Sequence, residues 1–341
     1  MSTIRDPRPA PRPTARAPAR QAVDAAPRRA VPAVVRPAVP RIVAASGIPD
    51  ALLRDRVRSG SLIRVLRGRY TAPPPDGPPW EAEEYLHLAR AAAVHGRRGG
   101  ACWFSHQTAA LLWGCAVIAT PAAVHVTSTV RRHGRTATTE RLVRDHWVRG
   151  VAAADVSDAL ALPVTSLERT PLDCATSLPG PHALVVADSA LRAGADRRSV
   201  DQLLAHSAGA RGVRGARVVL QRADARAESP GESLVRWWVA DAGLPAPDLQ
   251  VSVRTRLGWR WVDPGWPELR LALEFDGRVK YGSDGTTAAR TVVEEKRRQE
   301  AIEEEGWSVL RVSWQDLARP DQVTARVARA LRAARRRVHA P

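Results

Sequence analysis

With 341 residues, 44% of them hydrophobic and 26% charged, the chain can bury two or three cores, which excludes disorder throughout. A formal net charge of +17 invites a nucleic-acid partner, but residues 1–41 hold nine arginines against Asp6 and Asp24, and residues 322–341 hold six arginines and no acid, so the body between them is nearly balanced. Cys102, Cys115 and Cys174 lack the paired spacing of a zinc site and read as reduced thiols, which excludes a disulfide scaffold.

Residues 1–40 form an Arg/Pro/Ala-rich arm too poor in large apolar side chains to pack, and disorder is expected there. Its apolar run is cut by arginine and proline before it reaches signal-peptide length, and the uncharged stretch 108–130 is broken by Gly114, Pro121 and His125. A cytoplasmic protein with no membrane partner is the expectation.

Residues 41–73 contain "SGIPDALLRDRVRSGSLIRVLRGRYTAP". Pro49 opens a helix that runs to Arg58 and stops at Gly60; a strand from Leu62 to Leu66, a turn at Arg67 and Gly68, and a return strand follow. A helix followed by a basic wing is the second half of a winged helix-turn-helix. Arg54, Arg56 and Arg58 on the helix, with Arg64, Arg67 and Arg69 on the wing, are candidate phosphate contacts for DNA. Pro37 and Pro40 interrupt the helix that should come first. A hairpin used only for packing is the alternative.

Residues 74–226 alternate helices and strands, an α/β middle domain. Helices are predicted at "WEAEEYLHLARAAAVHG", "HQTAALLWG", "SLERTPLDCATSL", "PHALVVADSALRAG" and "GVRGARVVLQRADA", and strands at "AVHVTST" and "RLVRDHWV". Ser105 beside His106 reads as a helix cap rather than an activated nucleophile. No constellation carrying chemistry emerges from this region.

Residues 227–341 are the informative part. Ser229 and Pro230 open a helix, three strands follow ("LQVSVRT", "WRWVDPGW", "LRLALEF"), then a long charged helix, a strand "WSVLRVSW" and a basic terminal helix. The order αβββαβα gives a mixed α/β domain. A hairpin turning at Pro267 and Glu268 makes Asp263 and Glu274 diagonal neighbours, roughly 7 to 8 Å apart, on one sheet face. One hard cation fits between them. Glu274 ends an apolar run buried on both faces, where an unpaired carboxylate is costly, so a metal ion or a cationic partner is needed. Glu232 is either an accessory acid or the distal half of a capping box with Ser229. Asp276 stands before Gly277 in a turn-forming dipeptide.

The only two lysines, Lys280 and Lys296, both lie close in sequence to these acids, in a chain with fifty arginines. Arginine does not give up its proton, whereas an ammonium is compact and its pKa is readily lowered. Two carboxylates on adjacent strands with a nearby lysine are the working parts of a Mg²⁺-dependent phosphodiesterase; a structural salt bridge is the alternative.

The αβββαβ order with Asp263, Glu274 and lysine resembles the PD-(D/E)XK nuclease superfamily. "WVDPGWPELRLALEFDG" and "EEKRRQEAIEEEGWSVLRVSWQDL" resemble the relatives of very-short-patch-repair endonucleases found in actinobacteria, across about residues 228–318. The resemblance implies a restriction-endonuclease-like mixed sheet with flanking helices. It also implies Asp263 and Glu274 as ligands of Mg²⁺ or Mn²⁺, Glu232 as an accessory acid, and Lys280 or Lys296 as the catalytic cation. Asp276 takes the place of the motif lysine and is carried with the site.

"GSLIRVLRGRYTAP" and "PVTSLERTPLDCA" are similar to abortive-infection type IV antitoxins (AbiEi), which implies DNA binding, repression and a toxin partner. The expected function is thus a DNA-binding protein whose C-terminal domain hydrolyses DNA. The alternative is a non-enzymatic repressor with a silent nuclease fold. A third reading has Trp237, Trp238, Trp259 and Trp261 forming a protein interface.

Overall fold

The structure is a computed structural model that describes residues 37–97, 102–131, 142–276 and 285–338. Most of the N-terminal arm and Lys280 therefore lie outside the described residues, as does the side chain of Asp276. The architecture is mixed α+β, with four sheets and ten helices among the described residues. None of these helices is long and apolar enough to cross a membrane.

The N-terminal unit runs β1 (Val43–Ala44), α1 (Asp50–Arg58), β2 (Ile63–Leu66) and β3 (Arg69–Thr71). Gly68 at φ 68° makes the tight turn between β2 and β3, and β1 adds on the far side of β3 to give a three-stranded sheet. Val65 and Leu66 anchor this wing in the main core, whereas α1 contributes no buried residue at all. The described residues ahead of α1 supply β1 in place of the first helix of a helix-turn-helix. Pro37 and Pro40 lack the N–H that a helix there would donate.

The middle unit comprises α2 (Pro79–His95), β4 (Cys102–Phe104), α3 (His106–Leu112), β5 (Val124–Ser128), β6 (Val143–Trp147), β7 (Val156–Ala159), β8 (Leu162–Thr165), α4 (Arg169–Ala175), α5 (Gly180–Arg192), α6 (Arg197–His206) and α7 (Val213–Arg222). Its sheet has the order β6-β5-β4-β8-β7. β4, β7, β8 and α6 were not expected from the sequence: the three strands have three or four residues each, too few for a period to register. α5 is the central helix, with an unbroken buried run from Ala183 to Ala190.

The C-terminal unit runs α8 (Pro230–Asp241), β9 (Val251–Thr255), β10 (Gly258–Val262), β11 (Gly265–Trp266), β12 (Leu271–Asp276), α9 (Gly285–Glu304), β13 (Ser308–Ser313) and α10 (Pro320–Val338). β11 pairs antiparallel and β13 parallel with β12, which is therefore the central strand. One sheet face packs Leu271 and Leu273 against Val235 and Val239 of α8 and Val323, Val327 and Leu331 of α10. The other packs Ala272 with Ile302 of α9 and Val253 and Val262 of the β9–β10 hairpin. Trp237 and Trp238 pack against the cores, and Trp259 and Trp261 are half-buried, so these tryptophans are not an exposed patch.

The two units meet at α5 and α8. Asp188, 1% exposed, accepts from Ser233 Oγ at 2.6 Å, Arg236 Nη1 at 2.8 Å and the Asp224 amide at 2.7 Å. Burial pushes its carboxyl up to about 6 against the pull of Arg236.

Candidate functional site

Glu274 is buried at 6% exposure, as the apolar run around it implies. The hairpin register differs from the expected one. Trp266 pairs with Leu271 and Gly265 with Ala272, because Pro267–Leu269 forms a 3-10 turn and Arg270 turns left-handed at φ 45°, which lengthens the connection by two residues. The Leu273 amide donates to the Pro264 carbonyl in the same register. Asp263 itself lies in the bend between β10 and β11, just ahead of that ladder.

The cation beside Glu274 is arginine. Arg298 Nη2 on α9 donates to Glu274 Oε1 at 2.5 Å and to Glu295 at 2.9 Å, while its Nη1 donates to the Trp261 carbonyl at 2.9 Å. Arg311 is the register partner of Glu274 across β13, and its Nε approaches Oε2 at 3.6 Å. Burial raises the Glu274 carboxyl, and the opposing pull of Arg298 and, more weakly, of Arg311 does not cancel it, with Glu295 and Asp263 adding to the rise. Lys296, expected to point at the carboxylates, is 76% exposed and faces Glu300 at 3.9 Å, one helical turn away. Asp276 ends β12 opposite Ser313.

Glu232 serves as a cap. Ser229 Oγ accepts from the Glu232 amide at 3.2 Å and donates to Glu232 Oε1 at 2.7 Å, and Glu232 Oε2 accepts from the Glu228 amide at 3.0 Å. At 3% exposure its carboxyl is pushed up to about 7, first by burial and then by the charge of Asp263. Its place follows from Gly231: a Cβ there would sit 2.2 Å from the Phe275 ring, so only glycine lets the first turn of α8 lie against β12. Half-buried Asp263 receives Gln250 Nε2 at 3.5 Å and is the acid whose charge bears on both Glu232 and Glu274.

On the N-terminal unit, Arg54, Arg56 and Arg58 of α1 are exposed, as are Arg64 and Arg67 of the wing, while Arg69 is half-buried.

One cluster was missed from the sequence. His106, His125 and His146 bring potential ligand atoms within 4.8 Å of one another, the one such group of three or more among the described residues. Ser105 is not a side-chain cap for α3; its Oγ lies 3.0 Å from His106 Nδ1. Spacings of 19 and 21 residues match no short metal motif, so nothing in the sequence signals the cluster.

No family model matches this mixed α+β chain. Across 283 residues it is 34% identical to the uncharacterized protein MT2308 of Mycobacterium tuberculosis strain CDC 1551 / Oshkosh, covering 82% of this chain and 96% of the relative. The uncharacterized protein Rv2248 of M. tuberculosis strain H37Rv gives the same identity and coverage. The chain belongs to the family of these two mycobacterial proteins. A crystal structure of the RV2827C protein from M. tuberculosis aligns with a TM-score of 0.36 and 16% identity, over 63% of this chain and 83% of that one, too loose a likeness to bear on fold or function.

Proposed function

We propose that the protein binds DNA through α1 and the β2–β3 wing, and that its C-terminal domain is a restriction-endonuclease-like fold that holds DNA without cutting it. The observation that carries the binding half is α1 itself. A nine-residue helix with no buried side chain gives the core nothing, yet it presents Arg54, Arg56 and Arg58 to solvent beside exposed Arg64 and Arg67. Guanidinium groups so arrayed suit phosphate oxygens, which supply affinity and orientation without reading sequence. Arg54 and Arg58, one helical turn apart, share a face. The similarity to abortive-infection antitoxins makes repression, with a toxin partner, the form that such binding would take.

The silent half rests on the Glu274–Arg298 pair. A metal at Glu274 would have to displace a guanidinium that is also tied to Glu295 and the Trp261 carbonyl. Lys296 is turned away, and Asp276 stands where the superfamily motif has lysine. The strand order around β12 and the nearness of Asp263's charge to Glu274 support the restriction-endonuclease-like reading of the domain.

A second reading, Mg²⁺- or Mn²⁺-dependent hydrolysis of DNA, is favoured by one observation: the charge of Asp263 bears on two buried acids whose carboxyls are both raised, Glu232 and Glu274. There, a cation that enters as DNA binds would satisfy these carboxylates.

Gel retardation of duplex DNA over rising salt tests the binding. Arg54→Glu/Arg58→Glu is expected to weaken it at least about tenfold and to flatten its salt dependence. Retardation equal to wild type at every salt concentration would overturn the reading.

A further inference from the structure

We infer that His106, His125 and His146 form a binding site for a divalent transition-metal ion of the zinc class, on one face of the middle sheet. It shares no residue with the arginines of α1 and the wing or with the Glu274 cluster.

The topology builds it from three elements. β5 and β6 run parallel with His125 beside Arg144 and Thr127 beside His146, so His125 and His146 share a face and are diagonal neighbours. β4 lies on the other side of β5, and the Ser105 amide just past its end donates to the His125 carbonyl at 3.1 Å. His106 follows at φ 56°, in the left-handed region that a non-glycine residue enters at a cost, and its ring comes to lie over that of His146 with centroids 3.7 Å apart.

One donor pair already has the spacing of a metal site, while His106, stacked face to face on His146, has to turn for its in-plane lone pair to converge on the same ion. His146 Nε2 and His125 Nδ1 are 3.2 Å apart. Two imidazole nitrogens on one tetrahedral zinc, each about 2.0 to 2.1 Å from it, stand about 3.3 Å apart. Ser105 Oγ lies 3.0 Å from His106 Nδ1, an outer hydrogen bond of the kind that orients a metal-binding imidazole.

The ion's class follows from the donors. Three imidazoles suit zinc, cobalt, nickel or copper and do not suit Mg²⁺, which takes oxygen. Three protein ligands leave a fourth position open. Arg144, the register partner of His125 on β6, adds positive charge beside the cluster, which favours an anionic fourth ligand such as hydroxide or phosphate.

The test is titration of the full chain with Co²⁺, read by the visible absorption of tetrahedral cobalt, with Zn²⁺ competing it away. Wild type is expected to take up about one equivalent, and His146→Gln, at the half-buried corner of the cluster, to bind at least about tenfold more weakly. His106→Gln serves as a second variant, and far-UV circular dichroism establishes that each is folded. Uptake by wild type no greater than by either folded variant would overturn the site, as would a spectrum of octahedral cobalt or no uptake at all.

Discussion

Arg298 on α9 donates from Nη2 to Glu274 Oε1 at 2.5 Å, so this buried acid of the central C-terminal strand is already balanced by a cation of the protein itself. Removing one partner of a buried pair leaves the other charged and unpaired, which costs more than the pair is worth. Arg298→Met should destabilise the folded chain by about 3 kcal/mol. Arg311 at 3.6 Å remains as partial compensation. Adding Glu274→Gln should return at least half of the loss. Urea unfolding of the two variants checks this, and an Arg298→Met curve that overlies wild type would contradict the pairing.

Glu232 gives the clearest dependence on pH. Its carboxyl stands at about 7 in the folded chain against an ordinary 4.5, by burial first and Asp263 second. Between those values the folded state keeps a proton that the unfolded state releases. This group's contribution is therefore fully present below the unfolded value and is lost as pH rises through the folded one. In Glu232→Gln that titration is gone, so from about pH 5 to about pH 8 the variant should gain on the order of 3 kcal/mol relative to wild type. A difference that stays flat with pH would mean that the carboxyl is not buried as described.

Gly231 sets the approach of α8 to β12. Gly231→Ala drives a methyl into the Phe275 ring and should cost about 1 to 3 kcal/mol despite the better helix propensity of alanine. Phe275→Ala makes room, so the penalty of Gly231→Ala should be smaller in that background. A thermal-melting cycle of the four chains reads the coupling, and additive losses would contradict the contact.

Asp188 ties the middle and C-terminal units through Ser233 and Arg236. Asp188→Ala strands Arg236 beside the Arg222 carbonyl without its carboxylate and should cost about 3 to 5 kcal/mol. Because that link joins two cores, calorimetry should show unfolding of the variant broaden or split relative to wild type. Unfolding unchanged from wild type would argue against the link.

Much of the C-terminal element order is legible in the sequence, since Ser229 and Pro230 announce α8 and the unbroken apolar run before Glu274 announces a strand covered on both faces. The register is not, because the 3-10 turn at Pro267–Leu269 and left-handed Arg270 show no local signal beyond a proline. Arg298 is equally hidden, as one arginine among fifty. Its role depends on the angle at which α9 crosses β12, whereas lysine, being rare, drew attention to Lys296, which the helix turns outward. The histidines are the extreme case: parallel pairing of β5 with β6 and the chain reversal at Ser105 join residues with no common motif.

The most direct measurement is incubation of the purified full chain with supercoiled plasmid and single-stranded DNA in Mg²⁺ or Mn²⁺, beside Glu274→Ala prepared identically. If Arg298 holds Glu274 in a structural pair, DNA is retained by both proteins and neither cleaves it above background. Metal-dependent nicking that disappears in Glu274→Ala would contradict this and make the acids around Asp263 a catalytic metal site.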